Sequence, residues 1–328
     1  MEVFQIIWFA LLGVLLSAFL IFGGFDLGVG IFAGFSRNVD IRDKAMKSIA
    51  PFWDGNQVWL VTAGGALFAA FPKAYSAILS NLYTPIILFL CLLIFRAVSI
   101  EFYLSLDGDK WKGVWAKVCA ITSVLSLLVF GIALGSLFTG VALADSENSF
   151  ALLRILKPLP LCAGVLCVVF AIAQGVGYFA MKDKNLETIA TARIWIFILA
   201  VCYLAYIGCF IVHGKINFLP RIFTLMALLL AYLPLSMAMR VLRRKMLKIS
   251  FALTSLFALF CVVAHVLASY PYIVSPTTNS AGIDIFTASS SLKTLQIMLG
   301  VALVGVPIAI SYFVYAHIVF ADSKRKRK

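Results

Sequence analysis

Apolar stretches about the length of a bilayer crossing, divided by short polar connections, run through nearly the whole chain. A membrane-spanning helix needs about 20 predominantly apolar residues. Windows of that size predict nine helices, at about 4–34, 54–72, 76–102, 117–142, 158–181, 193–213, 221–240, 249–271 and 294–320. The second is the weakest, because its uninterrupted apolar part, Val58 to Phe71, is short and contains Gly64 and Gly65. An eight-span reading therefore stands beside the nine-span one. The fold class is an all-α polytopic membrane protein with a single integral membrane domain over 1–328. Asp26-Leu27-Gly28-Val29-Gly30 in the first span is echoed by Gln174-Gly175-Val176-Gly177 in the fifth. Such an echo suggests half-repeats over 1–142 and 158–271, two four-helix bundles with the final helix, 294–320, left at the periphery.

Composition agrees with lipid as the solvent: 63% of residues are hydrophobic and 12% charged. The net charge of +13 would suit nucleic acid, but the basic residues are scattered through short connections, so no nucleic-acid partner is expected. Their distribution reads as a topology signal. Twenty lie in the connections after spans 1, 3, 5 and 7 and in the tail; six lie on the other side, and Arg96 completes the 27. Excess Lys and Arg marks the cytoplasmic face. This predicts an odd number of spans, the N-terminus outside and the C-terminus inside, in a bacterial inner (cytoplasmic) membrane. The apolar run Val3–Phe35 is too long for a cleaved signal and is expected to remain as the first span. The tail Lys324–Lys328 reads as an anchor on anionic lipid. The outer connection 272–293 is polar and nearly uncharged, as a cap on the outer face or a partner contact would be.

Chemistry is expected where charge enters the apolar windows. Arg96 lies inside the stretch Leu82–Phe102, where a charge costs about 2.5–3.5 kcal/mol on insertion scales and is paired, wetted or functional. If spans 1, 2 and 3 alternate in direction, Asp26, Asp54, Arg96 and Glu101 fall at one depth near the cytoplasmic boundary. The plainer alternative is that Asp54 and Glu101 snorkel to the interface. Pro51 suits a helix start, and Asp54 behind it gains from the helix dipole. Asn56 and Gln57 add two amides, and Trp53 and Trp59 suit an interfacial position. Gly24-xxx-Gly28 and Gly30-xxx-Gly34 argue for close helix contact around Asp26. The proton-path candidates are thus Asp54, Asn56, Gln57 and Asp26, with Trp53, Arg96 and Glu101 as a structural polar cluster. Seven cysteines (Cys91, Cys119, Cys162, Cys167, Cys202, Cys209, Cys261) sit in apolar runs without a CxxC pair, as buried free thiols do. His213, His265 and His317 lie on three different spans without ligand spacing, so neither metal nor haem is expected on this chain alone. A secondary transporter acting alone is the competing class; it predicts charges nearer the bilayer centre.

The runs GGFDLGVG (23–30) and IAPFWDGNQVWLVTAGGALFAAFPKAYS (49–76), and Phe95-Arg96 followed by Glu101, resemble subunit II of the cytochrome bd-type quinol oxidases. SPTTNSAGIDIFTASSSLKTLQIML (275–299) resembles the family's last outer connection more loosely, with Phe286 and Thr287 at positions where other members differ. The connections near 143–157 and 213–221 are short beside those of longer members. The resemblance implies nine helices and a place in a terminal oxidase that oxidises quinol and reduces dioxygen to water. It implies a partner, subunit I, carrying haem b and haem d, and small accessory subunits in some members. Asp54 would stand at the mouth of a proton path from the cytoplasm, and the chain would support assembly of the haem-bearing site.

Overall fold

The computed structural model describes residues 1–105, 107–140, 155–213, 218–276 and 281–322. The tail Lys324–Lys328, Arg154, Lys215, the side chain of His317, and most of the connections near 143–157 and 213–221 lie outside the described residues. Helix α1 (Glu2–Phe35) contains a π-helical turn at Phe19–Gly23. It is followed by α2 (Val39–Ile49), α3 (Trp53–Ala70), α4 (Pro72–Asn81), α5 (Tyr83–Ser105) and α6 (Asp109–Phe138). Then come α7 (Pro158–Asp183), α8 (Leu186–His213), α9 (Phe218–Arg243) and α10 (Leu247–Ser269). An antiparallel pair, β1 (Tyr272–Val274) and β2 (Ile283–Asp284), leads through α11 (Ile285–Ala288) into α12 (Leu292–Asp322).

Among the described residues eight helices are long and apolar enough to cross a membrane: α1, α5, α6, α7, α8, α9, α10 and α12. The predicted second span is helical too, as α3, but its polar opening WDGNQ keeps it out of that set. Its 18 residues span about 27 Å. It also runs the height of α1 in the opposite direction. At one end Asn56 bonds Asp26. At the other, the carbonyls of Ala69 and Ala70 accept from Ser290, whose neighbour Ser289 accepts from Gln5 of α1. Gln5 to Asp26 is about 31 Å of helix, close to a hydrocarbon thickness.

Two boundaries differ from the predicted ones. The third span does not run unbroken over 76–102: α4 ends at Asn81 and α5 begins at Tyr83, with Leu82 outside helical dihedrals (φ −107, ψ 23). Pro85 would clash with the carbonyl of Asn81 in a continuous helix, which puts the break here. Phe71 before Pro72 ends α3 for a related reason, since a residue preceding proline is pushed out of the α region. The span pattern also misses α2. Asn38 caps it, its side chain accepting from the amides of Asp40 and Ile41, and Ala45, Met46 and Ile49 turn one buried face inward.

The centre of the molecule is where the second half of α1 packs against α6 and α7. Small residues allow these backbones to touch: Gly34 lies on the carbonyl of Ala116, Gly131 on Gly164, and Gly28 on Ala171 and Gly175. Around this centre α5 packs on α6, α8 on α7, and α9 on α10, while α12 lies almost wholly outside. At the Gln5 end the segment around α11 acts as a clamp. Gln5 donates to Ser289, Trp8 donates to the Leu295 carbonyl, and Asp284 caps α11.

Candidate functional site

Arg96 and Asp26 meet in the interior. Arg96 Nη2 donates to Asp26 Oδ1 at 2.7 Å, and the two side chains are 1% and 0% exposed. Asn56 Nδ2 donates to the other carboxylate oxygen at 2.8 Å. Three helices supply the three groups. In α5 the buried stripe is Leu92, Arg96, Ser99, Ile100 and Tyr103, at the spacing of one helical face, while Ile94, Phe95, Val98, Glu101 and Phe102 are exposed on this chain. In α3 the stripe is Asn56, Ala63, Ala66 and Ala70. Asp26 follows the π turn of α1, beside Gly28 and Gly30, where α6 and α7 come close. A charge buried this deeply is tolerated because a hydrogen-bonded counter-charge meets it.

The other predicted residues stay apart from this pair. Asp54 lies in the first turn of α3 and Glu101 on the outer side of α5; both are exposed, and neither has an ion pair among the described residues. Gln57 is half-buried, and both its side-chain polar atoms are shielded without a hydrogen bond. Trp53 packs against the cluster of Phe25, Met46, Tyr103 and Tyr178, and Trp59 stacks on Phe22 at 5.7 Å.

A second polar group at the Asp26 end was not foreseen. Asp43 of α2 accepts from Lys47 Nζ and Tyr103 Oη, both at 2.7 Å, with Lys112 Nζ at 3.7 Å. Partial burial pushes the Asp43 carboxyl up, but the bonds from Lys47 and Tyr103 and the charges of Lys47 and Lys112 outweigh it, so the net shift is down. Lys44 reaches Asp183 of α7 at 3.7 Å. The signal that could have found Asp43 is its spacing to Lys47, a favourable i,i+4 pair on a capped helix.

Across the centre, Gln174 of α7 is fully buried. Its amide donates to Ser255 Oγ at 2.6 Å and its carbonyl accepts from the Thr254 hydroxyl. Further toward the Gln5 end, Tyr206 bonds Nε2 of His265, whose Nδ1 lies 2.6 Å from the Cys261 carbonyl. These two side chains border an apolar cavity of about 110 Å³ lined also by Leu16, Leu20, Phe138 and Phe170. All seven cysteines are free, and Cys91 alone is exposed.

A bundle of long apolar helices with a hydrogen-bonded ion pair buried inside it is a polytopic membrane protein. The family model for cytochrome bd terminal oxidase subunit II matches residues 4–320, and the chain belongs to that family. It is 34% identical to cytochrome bd-I ubiquinol oxidase subunit 2 of Escherichia coli (strain K12), over 96% of this chain and 94% of that one. It is 27% identical to cytochrome bd ubiquinol oxidase subunit 2 of Bacillus subtilis (strain 168), over 96% and 95% of the two chains. The fold is that of a chain in the bd oxidase from Geobacillus thermodenitrificans, with a TM-score of 0.77, 18% identity, and coverage of 97% and 98%. The chain is thus a subunit of an oxidoreductase complex, and these matches lend no support to the secondary-transporter alternative.

Proposed function

We propose that this chain partners a haem-bearing subunit I in a quinol:oxygen oxidoreductase of the bacterial cytoplasmic membrane, and that it admits protons from the cytoplasmic side. The observation that carries the proton role is the Asp26–Arg96 pair, bonded to Asn56, in the helix that starts with exposed Asp54. Asp54, exposed in the first turn of α3, takes up the proton at the surface. Gln57 and Asn56, one turn on, hold water and pass the proton inward to the Asp26 carboxylate. Arg96 keeps that carboxylate in place and compensates its charge. The excess of basic residues at the Asp26 end supports a cytoplasmic setting for it, with the N-terminus outside and the C-terminus inside.

Counting α3 as a crossing gives nine helices. The Gly28–Gly175 contact, with Asp26 two residues before Gly28 and Gln174 directly before Gly175, supports the reading as two halves, 1–142 and 158–271, plus a peripheral α12. The described residues offer haem no evident ligand pair. Both ring nitrogens of His265 are engaged, His213 is exposed at the end of α8, and no group of three His, Cys, Asp or Glu suited to a metal occurs among the described residues. We therefore assign haem b and haem d to the partner and give this chain the tasks of proton delivery and support of the assembled haem site. Membrane lipid, quinol and small accessory subunits complete the expected surroundings.

The test is Asp54→Asn in the assembled complex, with oxygen consumption and haem absorbance read together. Reduced consumption at normal haem content is the expected result. Full activity removes Asp54 from the proton route, and loss of haem assigns it to assembly instead.

A further inference from the structure

Four fully shielded polar atoms near the Asp26–Arg96 pair lack a hydrogen bond to the described chain: Asn56 Oδ1, Arg96 Nε, Ser123 Oγ and the Tyr178 hydroxyl. A buried polar atom left unpaired costs about 1–3 kcal/mol. Ordered internal water, which makes about three hydrogen bonds to such groups, is the usual remedy. These atoms are not scattered. Tyr178 of α7 stacks on Phe25 with ring centroids 4.4 Å apart, lies within electrostatic reach of Asp26, and is 5% exposed. Ser123 of α6 faces Gly30, one turn beyond Asp26, together with Cys119. Ser99, one turn from Arg96, spends its hydroxyl on the Arg96 carbonyl at 2.6 Å and so leaves the others unsatisfied.

We propose that the Asp26–Arg96 pair forms one wall of an internal water compartment whose far wall is Tyr178 and Ser123, and that Tyr178 is a positioning residue for that water. This rests on the reading that the cluster carries protons. Water bridging the Tyr178 hydroxyl, Arg96 Nε and Asn56 Oδ1 gives an arriving proton somewhere to reside beside Asp26, and it draws the second half of the chain into the path. The compartment closes at Ser123. Beyond it α6 meets α7 at Gly131 and Gly164, backbone on backbone.

Radiolytic hydroxyl labelling of the assembled complex in heavy-oxygen water reads bound water directly. Heavy oxygen is expected on Phe25 and Cys119, buried side chains that only internal water can reach. Tyr178→Phe keeps the ring stacking and lacks the hydroxyl; it should lower labelling of Phe25 several-fold at unchanged haem absorbance. Ser123→Ala should do the same at Cys119. No labelling of Phe25 and Cys119 in the unaltered complex means a dry interior and overturns the compartment. Labelling that Tyr178→Phe leaves unchanged overturns the role of Tyr178. Either result is separate from that of Asp54→Asn: a dry interior with Asp54-dependent activity removes this inference alone, while a wet one with Asp54-independent activity removes the proton route.

Discussion

Gly28 and Gly175 face one another across the contact of α1 and α7 with no space between their backbones. A methyl group at Gly28 would stand 1.7 Å from the Ala171 carbonyl oxygen, and one at Gly175 would stand 2.4 Å from the Gly28 carbonyl carbon. Gly177, two residues along, has nothing within 4 Å of its missing methyl. Overpacking typically costs about 1–3 kcal/mol and more where backbone must move. Gly28→Ala and Gly175→Ala should therefore lower the thermal midpoint of the purified complex, while Gly177→Ala leaves it unchanged. Equal effects at all three positions would mean that the contact does not hold α1 to α7.

Removing one member of the buried pair is expected to be worse than removing both. Asp26→Leu leaves the Arg96 guanidinium buried without a counter-charge, which costs about 3–5 kcal/mol. The double variant Asp26→Leu, Arg96→Leu exchanges the pair for apolar groups and should recover most of the folded yield while still failing in proton delivery. Yield and oxygen consumption, measured on the singles and the double, separate the two roles. If Arg96→Leu alone keeps full yield and haem absorbance, Arg96 does not need Asp26 in the interior.

Asp43 makes stability depend on acidity. Its carboxyl is held below the ordinary value of about 4 by Lys47 and Tyr103. A group whose pKa is lower folded than unfolded stabilises the fold fully above the unfolded value, and that stability is lost as pH falls through the folded one. The thermal midpoint should be flat from neutral pH to about pH 5 and decline below about pH 4. Asp43→Asn should flatten that decline; an unchanged acid limb would place the dependence elsewhere.

At the opposite end, Asp284 holds α11 by accepting from the amides of Phe286 and Thr287 and from the Thr287 hydroxyl at 2.7–2.9 Å. Loss of such a cap costs about 0.5–2 kcal/mol. Asp284→Ala should loosen the clamp that joins α1, α3 and α12, which limited proteolysis within 272–291 would report as faster cleavage.

How much was legible depends on what the sequence pattern encodes. Span length and apolarity are one-dimensional, so the crossings of α1, α5 to α10 and α12 could be read off directly, and Pro72 and Pro85 mark real breaks. Direction around a helix is harder. α5 is apolar on nearly every side, so nothing in Tyr83–Ser105 says that Arg96 turns inward while Glu101, five residues on, turns outward. The same holds for α3, where Asn56 is buried and Asp54 exposed only because the helix leans on α1 with a narrow stripe. Gln174 was visible as an echo of Asp26, but its partners Thr254 and Ser255 lie about 80 residues away and no local pattern connects them. The α2 helix and its Asp43 network were legible in principle, through the Asn38 cap and the spacing of Ile41, Ala45, Met46 and Ile49.

The side of the membrane on which Asp54 opens decides the account more directly than any rate. Asp54→Cys in the assembled complex, held in sealed vesicles of known orientation, can be exposed to a membrane-impermeant thiol reagent from either face, with the parent complex correcting for the exposed Cys91. Labelling from the cytoplasmic face alone is the predicted result. Labelling from the opposite face would contradict proton delivery to the Asp26–Arg96 pair from the cytoplasm.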